Sequence, residues 1–236
     1  MAATFPMALM LLSTYIKLFI GVGAKYIWYF AIGLHIILIV YFTIKFLLKL
    51  QMPKVFASYF IVYVGIAVAA VTAPAFEELA IGAGAFWFGF LTLIGLLVLV
   101  TIRYMKYKEI PEPAKPLFCI YAAPTSLCVA GYVQSVTPKS REFLLAMLLV
   151  ATVLYILALV KAISYLKLKF YPSYAAFTFP FVISAIATKQ TMVCLANMKQ
   201  PIPMLRYVVL IETVIAVLFM IYTFIRFLQF IFVDHK

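Results

Sequence analysis

Four times along this chain, at intervals of about 60 residues, a short apolar segment rich in Ala, Gly and Pro gives way to a bulkier one ending in Lys or Arg. The bulky segments close on Lys45 and Lys49, on Arg103, Lys106 and Lys108, on Lys161, Lys167 and Lys169, and on Arg226 and Lys236. Prolines restart the chain after the first three, at Pro53, from Pro111 to Pro116, and at Pro172. A fixed period of this size in an apolar chain marks one supersecondary unit used repeatedly. Here that unit is a helical hairpin, with repeats at about 1–52, 53–110, 111–170 and 171–236 of a single transmembrane domain.

The chain is 67% hydrophobic and 11% charged, against roughly 45–50% and 25% in a soluble domain. It therefore reads as an all-α integral membrane protein. The runs are continuous rather than alternating and reach the roughly 20 residues that a bilayer core requires of a helix. About eight transmembrane helices are expected, near 5–21, 26–49, 55–75, 83–104, 117–134, 142–166, 173–190 and 205–231. No basic segment precedes the first apolar run and Lys17 interrupts it, so residues 1–20 do not read as a signal peptide.

The net charge of +12 could suggest nucleic acid, but its distribution excludes that partner. Twelve of the nineteen Lys and Arg residues lie at or beyond the ends of the even-numbered spans. By the positive-inside rule, the connections after spans 2, 4 and 6 and both termini are cytoplasmic, in a multi-pass protein of the cell inner or plasma membrane. The same basic belts raise the local anion concentration at the inner mouth. Cys119, Cys128 and Cys194 form no CxxC, and His35 and His235 are the only histidines. No metal or other cofactor is expected.

The odd and even spans differ in kind. Span 2 runs Ala31-Ile32-Gly33-Leu34-His35-Ile36-Ile37-Leu38-Ile39-Val40 and is bulky nearly all round, as suits lipid. Span 3 reads Gly65-Ile66-Ala67-Val68-Ala69-Ala70-Val71-Thr72-Ala73-Pro74, and span 5 includes Tyr121-Ala122-Ala123-Pro124-Thr125-Ser126. Small residues of this kind mark protein-facing surfaces in membranes. Pro6, Pro74, Pro124 and Pro180 fall inside or at the ends of the four odd spans. Within a helix, Pro124 would release the carbonyl of Ile120 and Pro180 that of Ala176. Broken helices at membrane depth must be buried in protein or line a cavity, so these prolines are expected to kink helices around a conduit. Ser13, Thr14, Ser58, Thr72, Thr125, Ser126, Thr178, Ser184 and Thr188 add hydroxyls to the same spans. Each alone would as readily bond back to its own helix.

Span 7 opens Phe170-Tyr171-Pro172-Ser173-Tyr174-Ala175-Ala176-Phe177-Thr178-Phe179-Pro180. This resembles the aromatic-rich Thr-Phe-Pro segment of the tellurite-resistance/dicarboxylate transporter family, which includes the slow anion channels of plant guard cells. Phe5-Pro6-Met7, Gly65-Ile66-Ala67-Val68-Ala69 with Pro74, and Ala123-Pro124-Thr125-Ser126 match in the same order. The resemblance implies helical hairpins in a quasi-fivefold ring, kinked inner helices around a central pore, outer helices behind them, and homotrimers. It implies transport of small inorganic or organic anions: chloride, nitrate, malate or another dicarboxylate, sulfite or tellurite. It also implies a pore plugged by a phenylalanine, here Phe179, with Phe177 as second choice. Tyr174 and Ala175 stand where the family has paired tryptophans. The eight spans resemble the last four of the family's five hairpins, so the first hairpin is expected to be absent. That leaves a non-conducting fragment as one reading of the chain.

The mechanism expected is passive, Phe-gated anion permeation. The odd spans carry few charges, so the conduit would be nearly neutral, and weak sites favour throughput because an ion must leave as readily as it arrives. Hydroxyl donors such as Ser13, Thr14, Thr72, Thr125, Ser126 and Thr178 would contact the anion. Glu212, inside span 8, costs roughly 2.5–3.5 kcal/mol on insertion scales. It could reach the interface, pair with Arg206, or act as the coupling carboxylate of a proton-driven dicarboxylate transporter. His35 reads as a packing histidine in need of a partner, and Glu77 and Glu78 as extracytoplasmic loop residues. No base stands near a nucleophile in a recognisable pattern, so an enzyme is not expected.

Overall fold

A computed structural model of the chain describes residues 2–107 and 109–232; Lys108, His235 and Lys236 lie outside the described residues. Helix α1 (Thr4–Ile20) turns at Gly21, whose φ of 59° suits a residue without Cβ, into α2 (Gly23–Phe42). A π-helical turn, Thr43–Leu47, prolongs α2. The next span is a chain of short pieces: α3 (Tyr59–Tyr63), a 3-10 turn (Val64–Ile66), α4 (Ala67–Thr72) and a second 3-10 turn (Ala73–Phe76). Helix α5 (Leu79–Lys106) follows unbroken. A long 3-10 segment, Glu112–Tyr121, leads into α6 (Ala122–Ser135), and α7 (Arg141–Tyr165) is again continuous. The 3-10 segment Pro172–Phe177 precedes α8 (Phe179–Asn197), and α9 (Leu205–Phe232) ends the described chain.

Among the described residues there is no strand, and seven helical spans are long and apolar enough to cross a membrane. The eighth, Thr4–Ile20, has 17 residues, at the lower limit for spanning. The expected interruptions are helix starts rather than kinks in running helices. Pro124 is the third residue of α6 and Pro180 the second of α8, where an N–H would have no acceptor within the α-helix. Pro6 occupies the third position of α1, and Pro74 lies in the 3-10 turn Ala73–Phe76. The chain narrows to 3-10 geometry before each restart in spans 5 and 7.

By contacts the chain divides into two compact units, Met1–Tyr107 with Leu127–Ser140, and Lys108–Ser126 with Arg141–Lys236. The first is held by small residues. A Cβ at Gly131 would stand 3.0 Å from that of Ala70, and the Ser135 hydroxyl donates to the Ala70 carbonyl at 2.5 Å. Fully buried His35 places Nε2 2.9 Å from the Val62 carbonyl, beside the point where span 3 turns 3-10. The Trp28 indole donates to Thr72 at 2.8 Å and packs on Phe76. At one end Lys17 donates to the Ala75 carbonyl, and Glu78 accepts from Lys25 and from Tyr29, each at 2.5 Å. At the other, Arg103 is buried rather than part of a solvated belt. Its guanidinium lies on the Phe56 and Tyr104 rings and donates to the carbonyls of Pro53 and Tyr107.

The second unit has an aromatic core. Tyr155 meets Phe181 edge-on, Phe181 stacks on Phe219 with centroids 4.6 Å apart, and Phe219 continues to Phe177 and Tyr174. Helix spacing creates the faces that meet there. On α7 the buried stripe runs Ala151, Tyr155, Ala158, Ala162, and on α9 it runs Glu212, Ala216, Phe219, Thr223.

Candidate pore-lining site

The helix restart at α8 sets apart two phenylalanines that are neighbours in sequence. Phe177 ends the 3-10 segment with its side chain fully buried between Tyr174 and Phe219. Thr178, at φ −96° and ψ −86°, leaves helical geometry, and Phe179 begins α8. The Phe179 ring is only partly buried and stacks on no other ring among the described residues. Two residues thus place one ring in the core and release the other, because the break between them changes the direction of the side chains.

The hydroxyls named from sequence divide in the same way. Ser13 donates to the Met10 carbonyl, Thr14 to Leu11, and Thr178 to Ala175. Thr72 donates to Val68 and accepts from Trp28. Ser126 lies 3.0 Å from Ser184, and both reach the Ala122 carbonyl, so this pair fastens α6 to α8. Thr125 alone of the six is buried with its hydroxyl unpartnered. Sequence reading named these residues by span, and the backbone geometry of each turn determined which hydroxyls are taken.

Glu212 is buried on α9 with no ion-pair partner among the described residues. The expected pairing with Arg206 does not form. Arg206 is exposed and its guanidinium lies 5.1 Å above the ring of its neighbour Tyr207. Six residues carry a side chain about 600° around a helix at roughly 3.6 residues per turn, so the two point to different faces. Glu212 is instead hydrogen-bonded to Thr188 of α8 and lies near Tyr155 of α7. The sequence signal for this cluster was the spacing of Tyr155 within an Ala stripe and of Thr188 and Thr191 on one helix face.

All-helical among the described residues, with seven apolar spans of which several are broken and buried, the chain is a multi-pass membrane protein. The model of the voltage-dependent anion channel family (SLAC1) matches residues 1–228. The chain belongs to that family, in keeping with the resemblance read from its Thr178-Phe179-Pro180 segment, and is an anion channel or transporter rather than a member of an enzyme family. Comparison with curated proteins and with solved structures gave no match.

Proposed function

We propose that the chain conducts small anions passively through a nearly neutral conduit closed by the ring of Phe179. The observation that carries this reading is the contrast between the two phenylalanines. Phe177 is committed to the aromatic core, while Phe179 stands at a helix start, partly exposed and without an aromatic partner. A phenyl ring in a narrow neutral passage blocks flow by excluding water, not by binding the ion. Thr125, with its unpartnered hydroxyl on a span broken at Pro124, supplies a donor to the passing anion. The remaining hydroxyls mostly satisfy carbonyls of their own helices, which leaves the conduit without a strong trap.

Chloride, nitrate, malate or other dicarboxylates, sulfite and tellurite are the anions proposed. Selectivity against cations comes from the overall charge of +12, concentrated at the ends of the even spans, which raises anion concentration at the mouth. The assembly proposed is a homotrimer in the cell's inner or plasma membrane, with both termini cytoplasmic. Replacing Phe179 by Ala tests the gate. Anion current or uptake in reconstituted vesicles should rise at least about tenfold, the equivalent of roughly 1.4 kcal/mol off the barrier, and an unchanged rate would overturn the assignment.

A further inference from the structure

Glu212 is 4% exposed and its Oε2 has no hydrogen-bond partner. Thr188 of α8 is bonded to it. Thr191, three residues on along the same helix and fully buried, has an unpartnered hydroxyl, and so does buried Tyr155 of α7, within electrostatic reach of the carboxyl. Of the other ionisable groups on these elements, Glu142, Lys161, Lys189 and Arg206 are exposed, and Arg141 and Arg226 are half-buried about four turns from Tyr155 and Glu212 respectively. The thiol of Cys194 is buried one turn beyond Thr191, and the Tyr222 hydroxyl donates to the Leu166 carbonyl.

Three buried oxygens without partners, drawn from α7, α8 and α9, require an explanation. A carboxyl without a cation beside it is held at least cost as the neutral acid, since an uncompensated charge in a low dielectric is far more expensive than a neutral group. The acid form also supplies the donor that these hydroxyl oxygens can accept.

We propose that Glu212, with Tyr155, Thr188 and Thr191, forms a proton-binding site that controls opening. With its proton the acid joins α9 to α8 through its hydrogen bond with Thr188, beside the neutral Tyr155 hydroxyl of α7. When that proton passes to water, a bare carboxylate is left between the helices, water enters to solvate it, and α8 shifts. Only the O–H bond of Glu212 is broken, and the proton is exchanged with the aqueous phase. The consequence for flow rests on the reading of Phe179 as the gate, because Phe179 begins the helix that carries Thr188.

Chloride efflux from vesicles containing the full chain, followed over a series of symmetric pH values, tests the proposal. Efflux should rise severalfold as pH rises through the titration, and Glu212→Gln, which keeps the shape but cannot ionise, should remain at the low rate throughout. A Glu212→Gln protein with the wild-type pH profile would overturn the site. A reversal potential that follows a pH gradient would overturn it in favour of stoichiometric cotransport. Infrared difference spectra of the purified protein give a readout independent of flow. A protonated-carboxyl band should titrate in the wild type and move in Tyr155→Phe, and the absence of such a band refutes the site even where Glu212→Gln fails to fold. If Phe179→Ala leaves efflux unchanged while the band titrates, the gate reading fails and the proton site stands.

Discussion

The broken spans and the continuous ones invert the rule that holds for soluble proteins. Tyr59–Phe76, Glu112–Ser135 and Pro172–Asn197 are 78%, 83% and 56% buried within the protein, yet they are less apolar than the continuous spans, which are between 11% and 33% buried. In water the most apolar segment would be the core. In a bilayer, lipid takes the bulky surfaces at no cost, and protein contact goes to segments whose small residues permit close approach or whose backbone must be shielded. The broken spans meet both conditions. Their 3-10 turns and helix starts are tolerated at depth because protein surrounds them, and Ala67, Ala70 and Gly131 let the backbones approach.

The sharpest way to break this comparison lies within four residues. Phe177→Ala should cost about 3–5 kcal/mol by opening a cavity in the aromatic core, read as a fall in melting temperature in detergent. Phe179→Ala should leave that temperature nearly unchanged while raising flux. Equal losses of stability in both variants would place the two rings in the same environment and remove the basis for the gate.

The two faces of one continuous helix give the next largest effect. On α5, a Cβ at Gly82 would collide with Ala73 and Ser135, whereas one at Gly84 or Gly95 would meet nothing within 4 Å. Gly82→Ala should therefore cost about 1–3 kcal/mol, and Gly95→Ala should be neutral or stabilise by up to about 1 kcal/mol. Parallel thermal denaturation of the pair measures the difference, and similar responses would show that the buried stripe of α5 is wrongly placed.

Thr72→Val removes the acceptor of the Trp28 indole, 2.8 Å away in a buried position. A loss of about 1–3 kcal/mol is expected for the orphaned N–H, accompanied by a change in Trp28 fluorescence. Thr92→Val, on an outward turn of α5 where the hydroxyl bonds only to its own helix, should have almost no effect on stability.

The smallest effect belongs to the exposed end of the first unit. Hydrogen bonds from Lys25 and then Tyr29 hold the Glu78 carboxyl below the usual carboxylate range. A depressed folded-state value contributes stability that is present above the ordinary glutamate range of about 4.3 and is lost as pH falls through the folded value. Glu78→Gln should lower the melting temperature slightly at neutral pH, and the gap from wild type should close in acid. A gap that persists in acid would assign the loss to shape and not to charge.

Much of this was legible along the chain. The run of Leu, Ile and Val through 91–100 names a lipid-facing helix without reference to anything distant. The Ala-Gly sequence 65–70 and the prolines at 74, 124 and 180 mark the spans that are broken, whereas Pro6 opens α1, which runs unbroken. Their consequences at single side chains were not legible. Phe177 and Phe179 differ in burial because Thr178 departs from helical geometry between them, and Phe177 alone packs on Tyr174 and Phe219. Arg103 resembles one more charge of a basic belt, yet it is buried beneath a loop that begins 50 residues earlier in sequence.

By itself the sequence determined that this chain enters a membrane as helices, and that spans 3, 5 and 7 turn toward protein, whereas α1, expected with them, is mostly exposed. Both follow from local composition, since the transfer of a segment into lipid depends on its own side chains and backbone. Only the tertiary structure decided which hydroxyls are already bonded, which phenylalanine is released from the core, and that Glu212 meets Thr188 and Tyr155 instead of Arg206. Those outcomes depend on atoms far apart in sequence brought to within a few ångströms, and helix packing alone fixes them.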